Sequence, residues 1–213
     1  MTIRSSIIHP VPYFAQWESS ELVPAIIAGT MRASEDPLWP KSGADSAQEY
    51  EFWSWRLCGM ACLRMALHHW RGDAPPAVSL AQECVDAGAY IRHPDRVDGL
   101  IYAPFAAYAE RRWGLAAQSR PDLPATDIAA HLHEGWLLVL SVHPSIRVLD
   151  PAPPRRGGHL VLAVGATPHA LVIHNPSGFP GRSQQFAHIP WPDLERFYAG
   201  RGVILGAHTA PQE

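Results

Sequence analysis

The order in which helical and strand-like segments follow one another constrains the fold of this 213-residue chain more than any other feature. From Leu57 onward, apolar residues recur at helical spacing, and three further helical segments follow before residue 136. Beyond that point the chain changes to short, β-branched segments bounded by Pro or Gly, which is typical of strands. Helices first and strands afterwards predict an α+β fold, with N-terminal helices followed by an antiparallel sheet.

The boundaries of the elements are predicted from the same patterns. The first helix has about 13 residues from Leu57 and ends at Gly72. The second is predicted to open with Ser79 as its N-cap and to close at Gly88. The remaining segments are helices over 100–114, 124–135 and 191–200, and strands over 11–14, 136–142, 159–166, 170–176 and 202–208.

The length of the chain is typical of a single domain, and we predict one domain over residues 1–213. Hydrophobic residues make up 47% of the chain and charged residues 17%, which suits a folded core. Residues 29–49 collect Gly, Pro, Ser, Asp and Trp without a period. We therefore predict a loop-rich insertion at about 22–52.

Charge and hydropathy exclude several classes of partner. The formal net charge is -3 with His neutral, so the chain lacks the basic excess that nucleic-acid binding requires. No stretch approaches the roughly 18 uninterrupted apolar residues of a membrane span, and the N-terminal segment lacks a signal-peptide core. P-loop, HExxH and GxSxG signatures are absent. We expect a cytoplasmic protein with no cofactor and no nucleic-acid or membrane partner, and its oligomeric state is left open.

Cys58 is the candidate nucleophile. The chain has three cysteines, Cys58, Cys62 and Cys84, and this odd number argues against a disulfide framework. Cys58 falls at the start of the predicted helix, where unpaired N–H groups and the helix dipole favour a thiolate. Gly59 removes side-chain bulk beside the sulfur. The alternative is a buried structural cysteine, because free Cys is among the most buried residue types.

His159 and Asn175 are the candidate partners of this cysteine. His159 opens an apolar strand after two glycines, and Asn175 follows the next strand. A short turn separates the two strands, so they should pair and bring Asn175 near His159, where its amide oxygen would orient the ring. The alternatives are an ordinary polar residue at a strand edge and ordinary turn chemistry in Asn-Pro-Ser-Gly. Asp150 is a competing partner for the same ring.

The order of these residues, a helix-start cysteine followed by a strand-borne His and a polar residue, is expected of papain-like cysteine hydrolases. Four segments resemble those of the bacterial bacteriocin-processing-peptidase-like family (peptidase family C thirty-nine-like): CGMACLRMAL, GGHLVLAVG, VIHNPSG and VPYFAQ. GLIYAPFAAYAERRWGL and RFYAGRGVI also fit, so the resemblance covers most of the chain. Met60 and Cys62 replace the usual Pro and Ser of the cysteine segment, and Asn175 stands where the family commonly carries Asp.

The resemblance implies a papain-like cysteine peptidase fold and the cleavage of a peptide or isopeptide bond in a peptide or protein substrate. It implies that Cys58, His159 and Asn175 form the catalytic triad through a thioester acyl-enzyme, and that Gln16 completes the oxyanion hole. The long stretch between Gln16 and Cys58 departs from the family pattern.

Several alternatives stay open at this stage. A transglutaminase, deamidase or acyltransferase would use the same triad, because the cleft decides what attacks the acyl-enzyme. A catalytically silent peptide-binding module is a second alternative. The indole N–H of Trp17 or of Trp55 is an alternative to Gln16 as the hydrogen-bond donor of the oxyanion hole. The tryptophans of the N-terminal part either line a groove for a ligand or pack the core of the insertion. A metal site on Cys58 and Cys62 matches no zinc spacing with two clear ligand pairs.

Overall fold

The computed structural model describes residues 5–207. Within that range, seven strands form one antiparallel sheet: β1 (Ile7–Ile8), β2 (Ala116–Arg120), β3 (Leu137–Val142), β4 (His159–Ala166), β5 (Ala170–His174), β6 (Ala187–Pro190) and β7 (Tyr198–Gly206). The strand order is β2-β7-β3-β4-β5-β6, and β1 pairs with the end of β4. The N-terminal segment is therefore joined to the same sheet as the C-terminal strands.

The helices precede most of the sheet along the chain. They are α1 (Val23–Ile27), α2 (Ala47–Ser54), α3 (Cys58–Arg71), α4 (Ala77–Asp86), α5 (Tyr102–Trp113), α6 (Ala125–His133) and α7 (Trp191–Phe197). Short 3-10 helices cover Ser20–Leu22, Ala33–Glu35, Trp39–Ser42 and Pro144–Arg147. None of the helices in the described part of the chain is long and apolar enough to cross a membrane.

Both faces of the central strands are buried, because successive side chains of a strand point to opposite faces of the sheet. In β3, Leu137 and Val139 pack into the core formed with α1 to α5, whereas Leu138 and Leu140 pack with α6 and α7. Strand β4 alternates in the same way. The sheet thus lies between two helical layers, and the predicted α+β fold is confirmed.

Two sequence predictions about local structure are wrong. VPYF is not a strand: Pro10 and Pro12 lack N–H groups, so this stretch cannot continue the ladder that β1 begins. Ser79 is not an N-cap, because α4 begins two residues earlier, after Pro76. The sequence patterns also missed β2 and β6, whose short segments carry no clear alternation.

The segment at 22–52, predicted as loop-rich, contains α1, most of α2 and two 3-10 helices. Tyr50 from this segment, and Trp53 directly after it, are fully buried in the same core as α3. The Asp36 carboxylate holds the segment together, accepting hydrogen bonds from Ser19 N–H, Ser19 Oγ and Tyr50 Oη at 3.0, 2.5 and 3.0 Å. These side-chain bonds organise a segment that has no hydrophobic period.

Candidate active site

Cys58 is the first residue of α3, as the sequence predicts, and Leu57 is the N-cap. Its side chain is partly exposed. A Cβ on Gly59 would lie 2.8 Å from Leu100 Cδ2 and 3.1 Å from Leu160 Cδ1. Glycine therefore allows the start of α3 to approach β4 closely, which brings Cys58 next to the strand that carries His159.

The protonation of Cys58 differs from the sequence prediction. Burial raises the pKa of the Cys58 thiol, and the backbone N–H groups of Leu160, Gly59 and Cys58 itself lower it only in part. The helix start does act in the expected direction, but desolvation of the charged thiolate is the larger effect. The prediction of a lowered thiol pKa is therefore wrong for this structure.

His159 and Asn175 come together as the hairpin predicts. His159 begins β4 and Asn175 follows the end of β5, so antiparallel pairing places them side by side. His159 Nε2 lies 2.8 Å from Asn175 Oδ1. His159 is 6% exposed and Asn175 is fully buried, so this contact is shielded from water.

Two further residues, Ser177 and Arg147, hold this contact in place. The backbone N–H of Ser177 donates to Asn175 Oδ1 at 3.1 Å, and Ser177 Oγ lies 3.1 Å from His159 Nε2. Arg147 donates from Nη2 to Ser177 Oγ at 2.9 Å. The Asn-Pro-Ser-Gly turn was the only sequence signal for Ser177. Arg147 had none, because it reaches the site from the 3-10 helix between β3 and β4.

The environment of His159 favours a neutral ring. The pKa of His159 is lowered to about 4, mainly by burial; the hydrogen bond to Asn175 opposes this shift, and the positive charges of Arg147 and His143 add to it. With Nε2–H donating to Asn175 Oδ1, the lone pair is on Nδ1. At neutral pH the ring can therefore accept a proton.

Asp150, the competing partner, does not contact His159. Its side chain is 87% exposed and forms an ion pair with Arg196 at 3.3 Å. Asp150 therefore does not compete with Asn175 for the hydrogen bond to the ring of His159.

Gln16 lies beside the site but is turned towards the core. Its Nε2 donates to the carbonyl of Ser54 at 3.0 Å, and the residue is only 5% exposed. Trp55 lines the cleft, but its indole N–H donates to Glu51 at 3.3 Å. Trp17 is buried, and its indole N–H has no hydrogen-bond partner among residues 5–207. The oxyanion role of Gln16 stays a prediction, and one of its N–H groups is already engaged.

The other two cysteines belong to the core. Cys62 and Cys84 are fully buried, and burial raises the pKa of both thiols. Cys84 Sγ lies 3.7 Å from the sulfur of Met60. Among the described residues, no three His, Cys, Asp or Glu side chains are grouped as metal ligands.

Cys58 and His159 open into one cleft of about 550 Å³. One wall is mainly apolar, and the opposite wall comes from the sheet and the turn before β4. The lining includes Trp55, Tyr90, Val97, Leu100 and Tyr102 on the first wall, and Ser119, Ser141, Gly158 and Arg201 on the second. Cys58 and His159 thus both line a cleft that is large enough for several side chains of a ligand.

A cysteine at the start of α3 and a histidine at the start of β4 line one cleft, and a buried amide after β5 lies behind the histidine. These elements belong to the α+β fold that the sequence predicts.

Comparison with known proteins finds partial structural similarity to two solved peptidase structures. No family model and no curated protein matches the sequence. The peptidase domain of Streptococcus ComA, a bifunctional ABC transporter involved in a quorum-sensing pathway, is 14% identical with a TM-score of 0.49, over 71% of this chain and 92% of that domain. A double-glycine-motif protease from an AMS/PCAT transporter, solved with its leader peptide, is 20% identical with a TM-score of 0.44, over 70% and 82%. Identities this low leave the reaction to be argued from this chain's own side chains.

Proposed function

We propose that this chain is a cysteine peptidase in which Cys58 is the nucleophile, His159 the base and Asn175 the residue that orients the base. The observation that carries the proposal is the 2.8 Å contact from His159 Nε2 to Asn175 Oδ1, in a cleft that Cys58 also lines. In a histidine with a purely structural role, a backbone carbonyl could equally accept the hydrogen bond from the ring N–H. Here the partner fixes the tautomer and leaves Nδ1 for proton transfer.

The reaction begins with a neutral thiol and a neutral imidazole, since burial disfavours the charge on both groups. His159 Nδ1 takes the proton of Cys58 as the sulfur attacks the carbonyl carbon of the substrate. The negative oxygen that forms is stabilised by the backbone N–H groups at the start of α3. The tetrahedral intermediate then expels the amine, which receives the proton from His159 and leaves a thioester on Cys58.

Water completes the cycle. His159 takes a proton from the water molecule as its oxygen attacks the thioester, and the carboxylic acid leaves as the thiol of Cys58 is restored. Deamidation follows the same route, except that the amine expelled when the thioester forms is ammonia. Acyl transfer differs only in the last step, in which another nucleophile replaces water. The identity of the released products therefore separates the three reactions.

Alkylation of the three cysteines tests the nucleophile. We expect brief treatment with iodoacetamide to modify Cys58 before Cys62 or Cys84, because only Cys58 is partly exposed. Since burial raises the pKa of the Cys58 thiol, the rate should rise steadily from about pH 6 to about pH 9 as thiolate forms. Mass spectrometry of the digested protein measures the modification at each residue. Equal labelling of all three would contradict the proposal, and a rate independent of pH below neutrality would indicate a charged Cys58–His159 pair.

Substitution of Asn175 tests the orienting residue. We expect Asn175→Ala to lower turnover by about 10²-fold or more, because the ring of His159 loses its partner, while alkylation of Cys58 changes much less. Asn175→Asp should retain activity and raise the pKa of His159, since a carboxylate favours the charged ring. The acid limb of the pH–rate profile should therefore move to higher pH.

Asp150→Ala is the matched control for these variants, because Asp150 contacts Arg196 at the surface and does not contact His159. Its pH–rate profile should overlay that of the wild type. If Asp150→Ala loses activity and Asn175→Ala retains it, the assignment of Asn175 is wrong.

A further inference from the structure

The wall of the cleft next to His159 is built by consecutive strands of the sheet. In the order β2-β7-β3-β4, each strand contributes a polar side chain to the lining: Ser119, Arg201, Ser141 and His159. Ser141 stands beside Leu160 in the register of β3 and β4, and Ser119 stands beside Val203 in that of β2 and β7. A row of hydrogen-bond donors therefore leads away from the base along the sheet.

The turn before His159 brings this row together. Gly157 and Gly158 have φ of 78° and 100°, a conformation that favours glycine. A Cβ on Gly157 would lie 3.1 Å from Ser141 Oγ and 3.5 Å from Arg201 Nη2. These two donors therefore flank a common point, two residues along the chain from His159.

The three donors are unused within the protein. Neither Ser119, Ser141 nor Arg201 forms a side-chain hydrogen bond or ion pair with any group in residues 5–207. Ser141 is only 3% exposed, yet it lines the cleft. Its hydroxyl oxygen is therefore open to the cleft, where it can donate a hydrogen bond to a ligand.

The other charges of the cleft are already satisfied. Asp98 is held by His93 at 3.0 Å and by Arg96 at 3.7 Å. Arg56 donates to the carbonyl of Phe52 and lies over the ring of that residue. Of the charged side chains that line the cleft, Arg201 is therefore the one that lacks a partner among the described residues.

A second guanidinium adds to the positive charge of this wall. A Cβ on Gly158 would lie 3.7 Å from Arg155 Nη2, so Arg155 and Arg201 approach the same glycine turn. Arg155 forms no ion pair with a carboxylate in the described range. Hydroxyls beside guanidiniums form a donor set that matches a carboxylate, which has only acceptor sites when ionised.

We propose that Ser141 and Arg201 bind a carboxylate of the substrate next to the bond that Cys58 attacks, so that this peptidase selects acidic peptides. Ser119, which is level with Val203, lines the same wall farther from His159. The carboxylate belongs either to an Asp or Glu side chain or to the C-terminus of the peptide. The proposal names the substrate class of the proposed function and rests on it for the bond that is cut. Binding of a carboxylate beside Cys58 does not depend on turnover, and it can be measured separately.

Two alkylating reagents of nearly equal size but different charge measure that binding. Iodoacetate carries a carboxylate and iodoacetamide does not, and both modify Cys58 in the full chain. We expect the ratio of their rates at Cys58 to fall about tenfold in Arg201→Gln, because the local positive field that attracts iodoacetate is reduced. The ratio should be unchanged in Arg111→Gln, an exposed residue of α5 outside the cleft. An unchanged ratio in Arg201→Gln would overturn the proposal.

Matched peptides identify the source of the carboxylate. Fluorogenic peptides that differ only by Asp against Asn at each position, or by a free against an amidated C-terminus, are offered to the wild type and to Arg201→Gln. We expect one of these pairs to differ about 10- to 100-fold in kcat/KM for the wild type, and we expect Arg201→Gln to remove that difference within the pair. Equal kcat/KM within every pair would overturn the proposal. If no peptide is cut although Cys58 is alkylated, the peptidase function fails, and the alkylation ratio alone decides the carboxylate site.

Discussion

Replacing Cys58 by Ala is expected to lower peptide cleavage by about 10⁶-fold, the scale of loss when the nucleophile of a hydrolase is removed. Without the sulfur there is no acyl-enzyme, and His159 has no thiol from which to take a proton. The fold should be retained, because Cys58 is partly exposed at the start of α3 and packs only against the edge of the core. The measurement is kcat/KM on a fluorogenic peptide cut by the wild type, with circular dichroism to verify folding.

Cys62→Ala is the matched control, because Cys62 lies one turn further along the same helix but is fully buried. It should lower the free energy of unfolding by about 1 kcal/mol and leave kcat/KM of the folded protein unchanged. Combining Cys58→Ala with His159→Ala should cost no more activity than Cys58→Ala alone, since the two residues act as a unit. If the wild type and Cys58→Ala bind a peptide equally and neither cuts it, the chain is a silent binding module.

The stability of the protein should depend on pH through His159 by about 3 kcal/mol. The pKa of His159 is about 4 in the folded protein, against an ordinary value of 6.5 that applies when the chain is unfolded. Between these values the unfolded chain binds a proton that the folded protein does not, so stability falls as the pH falls from above 6.5 to about 4. The lowered pKa corresponds to about 3 kcal/mol at the lower limit of that range.

Urea unfolding of the wild type and of His159→Gln, at about pH 7 and about pH 4, isolates this contribution. The variant lacks the titrating ring but can still donate a hydrogen bond to Asn175. On acidification, its free energy of unfolding should therefore fall by about 3 kcal/mol less than that of the wild type. His188→Gln, at an exposed position of β6, should follow the wild type. Equal losses in the wild type and His159→Gln would show that His159 is not held neutral by burial.

The sequence predicted those parts of the site that depend on local patterns. The apolar period beginning at Leu57 placed Cys58 at a helix start, which the structure confirms. The short turn between two apolar segments predicted the hairpin of β4 and β5, and a hairpin fixes which residues lie opposite each other. The contact from His159 to Asn175 follows from that register.

Features formed by distant segments were not predicted. The oxyanion role of Gln16 stays a prediction, and the contact that its Nε2 makes with the carbonyl of Ser54 joins segments that no local pattern connects. Arg147 reaches Ser177 from a 3-10 helix 30 residues earlier in the chain, and no periodic pattern marks that contact. The cleft wall that carries Ser141 and Arg201 was missed for the same reason, because β3 and β7 are adjacent only in the assembled sheet.

The sequence by itself determined the order of helices and strands, the helix-start position of Cys58 and the pairing of His159 with Asn175, because hydrophobic periodicity and short turns act over a few residues. The tertiary structure alone decided the protonation of the site. A helix start favours a thiolate, but α3 packs against β4 and buries Cys58 and His159 together, so that desolvation outweighs the helix dipole and both groups are neutral. Burial depends on how the helices pack against the sheet, so it cannot be predicted from a local segment of the sequence.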